Sequence, residues 1–396
     1  MSITMIPTYT PEELQARFIP ASGLKYSTDA FIDYRIPGCG PKKNYALIGP
    51  GVSQNPNQPV SLREKHGFQV GGVAMGPGVI NPPHMHFTAE VFICTRGSFS
   101  LHWSFNPERN EYALGEGDIA SIPTWIYRGF ESHGTPDGQE GFMFTGLGQD
   151  DTGGILWGAA TLEAARAQGV HLTEDYKIID EHLGGKWLDS MKRLQPMTPQ
   201  EVSQLRTWSP EQMRQRVVKF SELDWSARAL LDSALPGCGS AIAPVIGHGM
   251  SAERNHLAPI MNAHGFSIEW LKIPAGGSVS PHTIAHKQVI AVYQGEVKIF
   301  IQNEPLAFKD TARSATKIIA SHNSHGNDTY AMPAHAWRSY RNTGSVDAVL
   351  LLMTPGDERK RITWGADVIE QAAQAGYTID ANGYVGLKRY IDRSQR

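Results

Sequence analysis

The segment PPHMHFTAEVFICTRG, Pro82 to Gly97, sets His84, His86 and Glu90 at i, i+2 and i+6 and closes on a glycine. On a pleated strand His84 and His86 share one face. Glu90 has the same parity, yet four more residues of straight strand would carry it roughly 13 Å away, at about 3.3 Å per residue. The chain must turn at Phe87–Ala89 and bring Glu90 back on the neighbouring strand. Two neutral imidazoles and a carboxylate converging in this way form a two-histidine, one-carboxylate face for a divalent metal, with coordination positions left open. Burying the same groups together without an ion would be expensive.

Outward from this segment the chain repeats itself. IPGCG at Ile36–Gly40 recurs as LPGCG at Leu235–Gly239, an offset of 199 residues. HGF at His66–Phe68 recurs at His264–Phe266, Pro83–His84 at Pro281–His282 and Gly97 at Gly295, each offset by 198. PTWIYR, Pro123–Arg128, matches PAHAWR, Pro333–Arg338, at an offset of 210, so 210 − 198 = 12 residues have entered the second copy. The polar stretch ATKIIASHNSHGND, Ala315–Asp328, is the expected insertion. So long a period marks a duplicated domain, since solenoid units repeat every 20–50 residues or so.

Within a copy, GFQVGGVAM, EVFICTRG, SFSLHWSF, GDIASIP and GFMFTGLG are short, β-rich and bounded by glycine, with no helix between them. This predicts an all-β fold of two antiparallel barrels with short bracing helices. LEAARAQG, TPQEVSQL and SPEQMRQRVV carry helix formers, and the last two begin with a Ser or Thr cap followed by proline and glutamate. TPEELQARF has the same cap, and GADVIEQAAQAG reads as a helix stopped by glycine. The expected division is a barrel over 1–155, a helical linker over 156–218, a second barrel over 219–360 and a C-terminal helix and tail over 361–396.

At 396 residues, 41% hydrophobic and 19% charged, the chain has room for two domains with their own cores. A net charge of −3 gives no basic footprint for nucleic acid, and DERKR and LKRYIDRSQR read as solvated surface. Three widely spaced cysteines, Cys39, Cys94 and Cys238, suit a reducing compartment. The opening MSITMIPTYTPEELQARF lacks a basic region followed by an apolar core, and no later apolar run is long enough to span a bilayer. The expectation is a cytoplasmic homo-oligomer with no membrane and no nucleic-acid partner.

GPGVINPPHMHFTAEVFICTRG, Gly76–Gly97, resembles the first motif of the cupin superfamily: a glycine, His-x-His, three or four residues, glutamate, six residues and glycine. GDIASIPTWIYR, Gly117–Arg128, resembles the second, which starts Gly-Asp and runs through a proline to a final histidine. With both copies, the chain resembles a bicupin over some two thirds of its length. The resemblance implies two jelly-roll barrels of the double-stranded β-helix type and a divalent metal on His84, His86 and Glu90. It implies Fe(II), with Mn, Ni or Zn as alternatives, in a dioxygenase that joins O2 to a small anionic substrate such as a phenolic one.

The departures from the family pattern bear on the site. Arg128 stands where the family places a fourth ligand, histidine, and a guanidinium cannot ligate a cation. Two roles are open for it, a hold on an anionic substrate or a structural pairing with a buried acid such as Glu90. Tyr127 is a candidate general base, and Phe92, Trp103 and Trp125 are candidates for an apolar wall against a ring substrate; His133 is a further candidate ligand. In the second copy His282 is kept, while Ile284, Gln288 and Arg338 replace the remaining ligands, and His286 alone has the parity to rescue a site. The alternatives are an O2-independent lyase, isomerase or hydrolase on Zn, Mn or Ni, and a non-catalytic anion binder using Arg128 and Arg338. Oxalate-processing bicupins keep three histidines and the glutamate, and gentisate-type dioxygenases lack this glutamate, so neither chemistry is expected.

Overall fold

Runs of β-branched and aromatic residues separated by glycine form antiparallel strands, which take up 41% of the structure against 14% for helices, so the protein is all-β as expected. The structure, a computed structural model, describes residues 8–104, 110–303 and 316–394. It divides into two units, Leu24–Glu222, and Met1–Gly23 with Leu223–Arg396.

In Leu24–Glu222 the larger sheet runs Val217–Val218, Ile119–Ile122, Glu90–Arg96, Gly141–Gly148, Phe68–Met75, Lys42–Ile48, Tyr26–Ser27. The smaller runs Ile155–Trp157, Ile80–His86, Arg128–Gly134, Ser98–Trp103, Asn110–Leu114. The two histidines therefore lie in one sheet and Glu90 in the other. The turn at 87–89 does not return the chain beside itself, as the spacing suggested, but carries it from sheet to sheet. Inward side chains of both sheets, Phe92, Phe99, Leu101, Phe130 and Met143 among them, make the core, each stabilising by about 1.5–3 kcal/mol.

The second unit repeats this order over six strands of the larger sheet and five of the smaller; among the described residues Tyr26–Ser27 has no counterpart there, and Gly326–Asn327 is added. One sheet runs Phe18–Ile19, Thr329–Met332, Gln288–Gln294, Ala348–Pro355, Phe266–Ile273, Ala241–Ile246. The other runs Gly326–Asn327, Thr316–Asn323, Glu296–Gln302, Trp337–Asn342, Ser278–Thr283, Thr363–Trp364.

Three expectations are corrected. Residues 156–218 are not a linker: they fold with the first barrel, and their Val217–Val218 pairs with Ile119–Ala120, while residues 8–23 fold with the second. In the expected insertion Ala315 lies outside the described residues, and Thr316–Asn323 is a regular strand on Glu296–Gln302, the counterpart of Asn110–Leu114. Most of the added length lies at residues 303–315 against 104–109. DERKR is only in part solvated surface: Glu358 and Arg361 are exposed, but Lys360 is fully buried and the Asp357 carboxylate accepts from the backbone N–H groups of His264 and Gly265. The helix caps, by contrast, form as read: Thr10, Thr198 and Ser209 each close a capping box. The cysteines are free and buried, and no helix among the described residues is long and apolar enough to cross a membrane.

Gly97 shows why the motif closes on a glycine. Its φ is +74°, and a Cβ there would lie 2.5 Å from the Gly134 carbonyl oxygen. Gly38, at φ +82°, has open space instead. Gly97→Ala is expected to lower stability by more than the roughly 1–3 kcal/mol of left-handed strain alone, and Gly38→Ala by less than Gly97→Ala. Urea unfolding followed by near-UV circular dichroism compares the two; equal midpoints would refute the steric account.

Candidate metal centre

His84 and His86 end the strand Ile80–His86, and Glu90 opens Glu90–Arg96. All three are buried, and one ligand atom from each lies within 4.8 Å of the others. The His84 Nδ1 is 2.8 Å from the Pro82 carbonyl, which can only accept, so Nδ1 carries the proton and the Nε2 lone pair is free. Burial, then the charge of Arg128, holds the His84 pKa well below the usual imidazole range. His86 has its Nδ1 buried without a partner and its Nε2 3.6 Å from Glu90 Oε2. Imidazoles with unclaimed nitrogens beside a carboxylate fit a divalent cation. Among the described residues no second such group exists.

Arg128 opens the strand that pairs with that of His84. Its Nε and Nη2 donate to the same oxygen, Glu90 Oε2, at 3.1 and 2.7 Å. Its Nη1 lies 3.4 Å from the His84 and Ile126 carbonyls. Of the two open roles the structure shows the pairing with Glu90: Arg128 is 1% exposed and does not line the cavity, so it is no anchor for an anionic substrate. Burial pushes the Glu90 carboxyl up and the Arg128 guanidinium down. Their direct contact, two N–H donors on one carboxylate oxygen, works against both shifts. Glu90 Oε1 takes no bond among the described residues, so it is the oxygen left for a metal.

Above the triad lies a cavity with about 700 Å³ of empty space, counted out to its open mouth. Phe31, Phe92, Phe130 and Trp157 supply aromatic walls, Asn44, Gln58 and Asn81 supply amides, and no lysine or arginine lines it. Phe92 is therefore placed as expected. Trp103 is not, since its Nε1 donates to the Trp208 carbonyl at 3.0 Å, outside the cavity. Trp125 is 47% exposed and packs edge-on against Phe87. Tyr127 also lies off the cavity, its phenol pushed up by burial and by the Glu201 carboxylate, so it is no general base here. His133 Nε2 meets Ser100 Oγ at 2.8 Å and is no substitute ligand.

Sequence parity missed Asn81, three residues before His84. Asn81 pairs with Phe130 while His84 pairs with Arg128, so a bulge at Pro82–Pro83 absorbs one residue and returns Asn81 to the face of His84. The opposing Gly129 permits this, because a Cβ there would lie 2.5 Å from the Asn81 carbonyl oxygen. The prolines were the visible signal.

The second barrel keeps the scaffold and loses the site. His282 Nδ1 contacts the Ser280 carbonyl at 2.8 Å, as His84 does Pro82. Ile284 replaces His86, and the Gln288 amide donates to Thr354 Oγ1 at 3.0 Å. His286 turns to Glu358 at 3.2 Å and rescues nothing. Where the first barrel has Gly71, the second has the buried Glu269, whose oxygens accept from the Met250 N–H at 3.0 and 2.9 Å.

No protein-family model and no curated relative matches the chain. Solved structures share its fold. An oxalate decarboxylase studied for an element that modulates proton-coupled electron transfer gives a TM-score of 0.51 at 10% identity, over 91% of this chain and 80% of that one. The Bacillus subtilis oxalate decarboxylase, studied for its Mn(II) centres, gives 0.50 at 10% identity over 88% and 79%. Vicilin from Capsicum annuum gives 0.50 at 10% identity over 88% of each chain. At such identity the likeness carries the architecture alone.

His84→Ala and His86→Ala are expected to abolish metal binding, Glu90→Gln to weaken it and His282→Ala to leave it intact, as read by plasma mass spectrometry. Full occupancy in the first three would refute the centre. Arg128→Met strands the Glu90 charge and is expected to cost about 3–5 kcal/mol in the metal-free protein, and less when a divalent cation takes over part of the compensation. Urea unfolding with and without Mn(II) measures both.

Proposed function

We propose that this two-barrel cupin is a metal-dependent enzyme with one working centre, His84, His86 and Glu90 in the N-terminal barrel. The observation that carries the reading is the convergence of unclaimed donor atoms under an otherwise uncharged cavity. A redox-active divalent ion such as Fe(II), when bound, supplies electrons and adjacent open positions for a chelating substrate and dioxygen.

The protein's own residues narrow the chemistry. Arg128 cancels the charge of Glu90, so the charge of a divalent ion is left for the substrate to compensate, which favours a ligand that coordinates as an anion. The rest of that ligand lies against Phe31, Phe92, Phe130 and Trp157, and a second charge there would be buried unpaired. The three ligands aside, the only titratable lining residue is Tyr45, whose ring packs on Tyr26 and Phe142 at 5.6 and 5.7 Å. A reaction that needs no protein acid or base, such as insertion of O2, suits such a cavity. A second reading, an O2-independent lyase, draws support from the Mn(II) centres of the fold neighbour, and it would have to use Glu90 as its base. The buried free thiols support a reducing, cytoplasmic setting.

The test is oxygen consumption by protein purified without oxygen and reloaded separately with Fe(II), Mn(II) and Zn(II), against a panel of apolar enols and phenols. Uptake that needs Fe(II) and vanishes in His84→Ala supports the oxygenase. Substrate loss without uptake supports the lyase, and ligand affinity indifferent to chelator leaves only a binding protein.

A further inference from the structure

Behind the triad lies a chain of buried polar groups that the centre itself does not require. Asp33, fully buried, pairs with Lys42, which is 2% exposed. The Lys42 ammonium also donates to Asn81 Oδ1 at 2.8 Å. An ammonium has donors only, so the carbonyl end of the Asn81 amide must face Lys42 and the NH2 must face the other way. On that side Asn81 Nδ2 lies 3.3 Å from His84 Nδ1. That nitrogen already spends its proton on the Pro82 carbonyl at 2.8 Å, so the 3.3 Å contact brings donor to donor and satisfies neither. Asn81 is 7% exposed and lines the cavity. Its amide hydrogens have no acceptor among the described residues, and a buried amide left so is unfavourable.

The second barrel supplies an independent comparison. Its counterpart of Asp33 is Asp232, which accepts from the Ser280 N–H, while Val279 stands for Asn81 and Ser240 for Lys42. The amide and the lysine are thus absent from the barrel that has lost His86 and Glu90, although the acid remains.

We infer that Asn81 is a specificity-determining residue that donates its N–H groups to an acceptor oxygen, a carbonyl or an oxyanion, of the ligand held at the metal centre, and that Lys42 is the positioning residue that fixes the amide in this sense. The inference rests on the metal-centre reading and deepens it. A ligand offering an N–H or an ammonium at this point meets a donor and is rejected; one offering oxygen is accepted.

The experiment uses full-length protein loaded with Co(II), whose visible spectrum reports ligand binding. The probes are acetohydroxamic acid, which presents acceptor oxygens, and imidazole, a single-nitrogen ligand that directs an N–H away from the metal. Asn81→Leu is expected to weaken acetohydroxamate by about tenfold or more with Co(II) affinity and imidazole binding unchanged. Asn81→Asp, which keeps the bond to Lys42 and removes the donors, weakens it at least as much. Lys42→Met does the same to acetohydroxamate alone and Lys42→Arg restores it, whereas a merely structural role would depress both probes. Should Lys42→Met fail to fold around Asp33, the two Asn81 variants decide. Unchanged acetohydroxamate affinity in both, with Co(II) bound, overturns the inference and leaves the metal centre standing. Failure of the wild-type protein to bind Co(II) overturns both.

Discussion

The ion pair between Glu90 and Arg128 is the contact on which the chemistry of the N-terminal barrel depends. It joins the sheets, because Arg128 belongs to the strand beside His84 and Glu90 to the other sheet. Taking both charges out of water is costly, and their attraction does little more than repay that cost. The return lies in geometry: two of the three guanidinium nitrogens bind one oxygen, which orients the carboxylate and leaves its second oxygen without a bond among the described residues. The same pairing sets the Arg128 guanidinium against the negative charge that Glu90 would otherwise present alone to a cation.

The two barrels show how little has to change for one scaffold to hold a cavity or fill it. Gly71 and Glu269 are counterparts, as are Val52 and Met250 on the loop beside them, and the larger member of each pair lies in the closed barrel. His86 and Glu90 give way to Ile284 and Gln288 in the same barrel. Ile290, Leu271, Leu350 and Tyr340 belong to the apolar core of the second barrel, where the second imidazole and the carboxylate of the triad are lost and His282 alone remains of the three.

The ligand triad, the duplication and the sheet architecture were legible because each rests on short-range regularity: period-two alternation, glycine spacing and a repeated motif. What the sequence left open depends on contacts between distant residues. The role of Arg128 turned on whether Glu90 lay within reach, 38 positions away in the chain. Trp103, Trp125 and Tyr127 flank the motifs, yet flanking in sequence does not decide which side of a strand a ring leaves from. Asn81 was hidden by the bulge at Pro82–Pro83, which breaks the parity rule at the residue where it was needed. Asn44, Gln58 and Trp157 come from strands and loops far from either motif and carry no local signal.

The exchange of flanking segments makes the second folded unit depend on residues that lie beyond the first barrel in sequence. Residues preceding the first barrel fold with the second, and the corresponding residues preceding the second fold with the first, each adding a short strand to the same edge of the same sheet. No single cut separates the chain into its two folded units. A cut between Glu222 and Leu223 would therefore leave the C-terminal unit without Phe18–Ile19, the edge strand that pairs with Thr329–Tyr330.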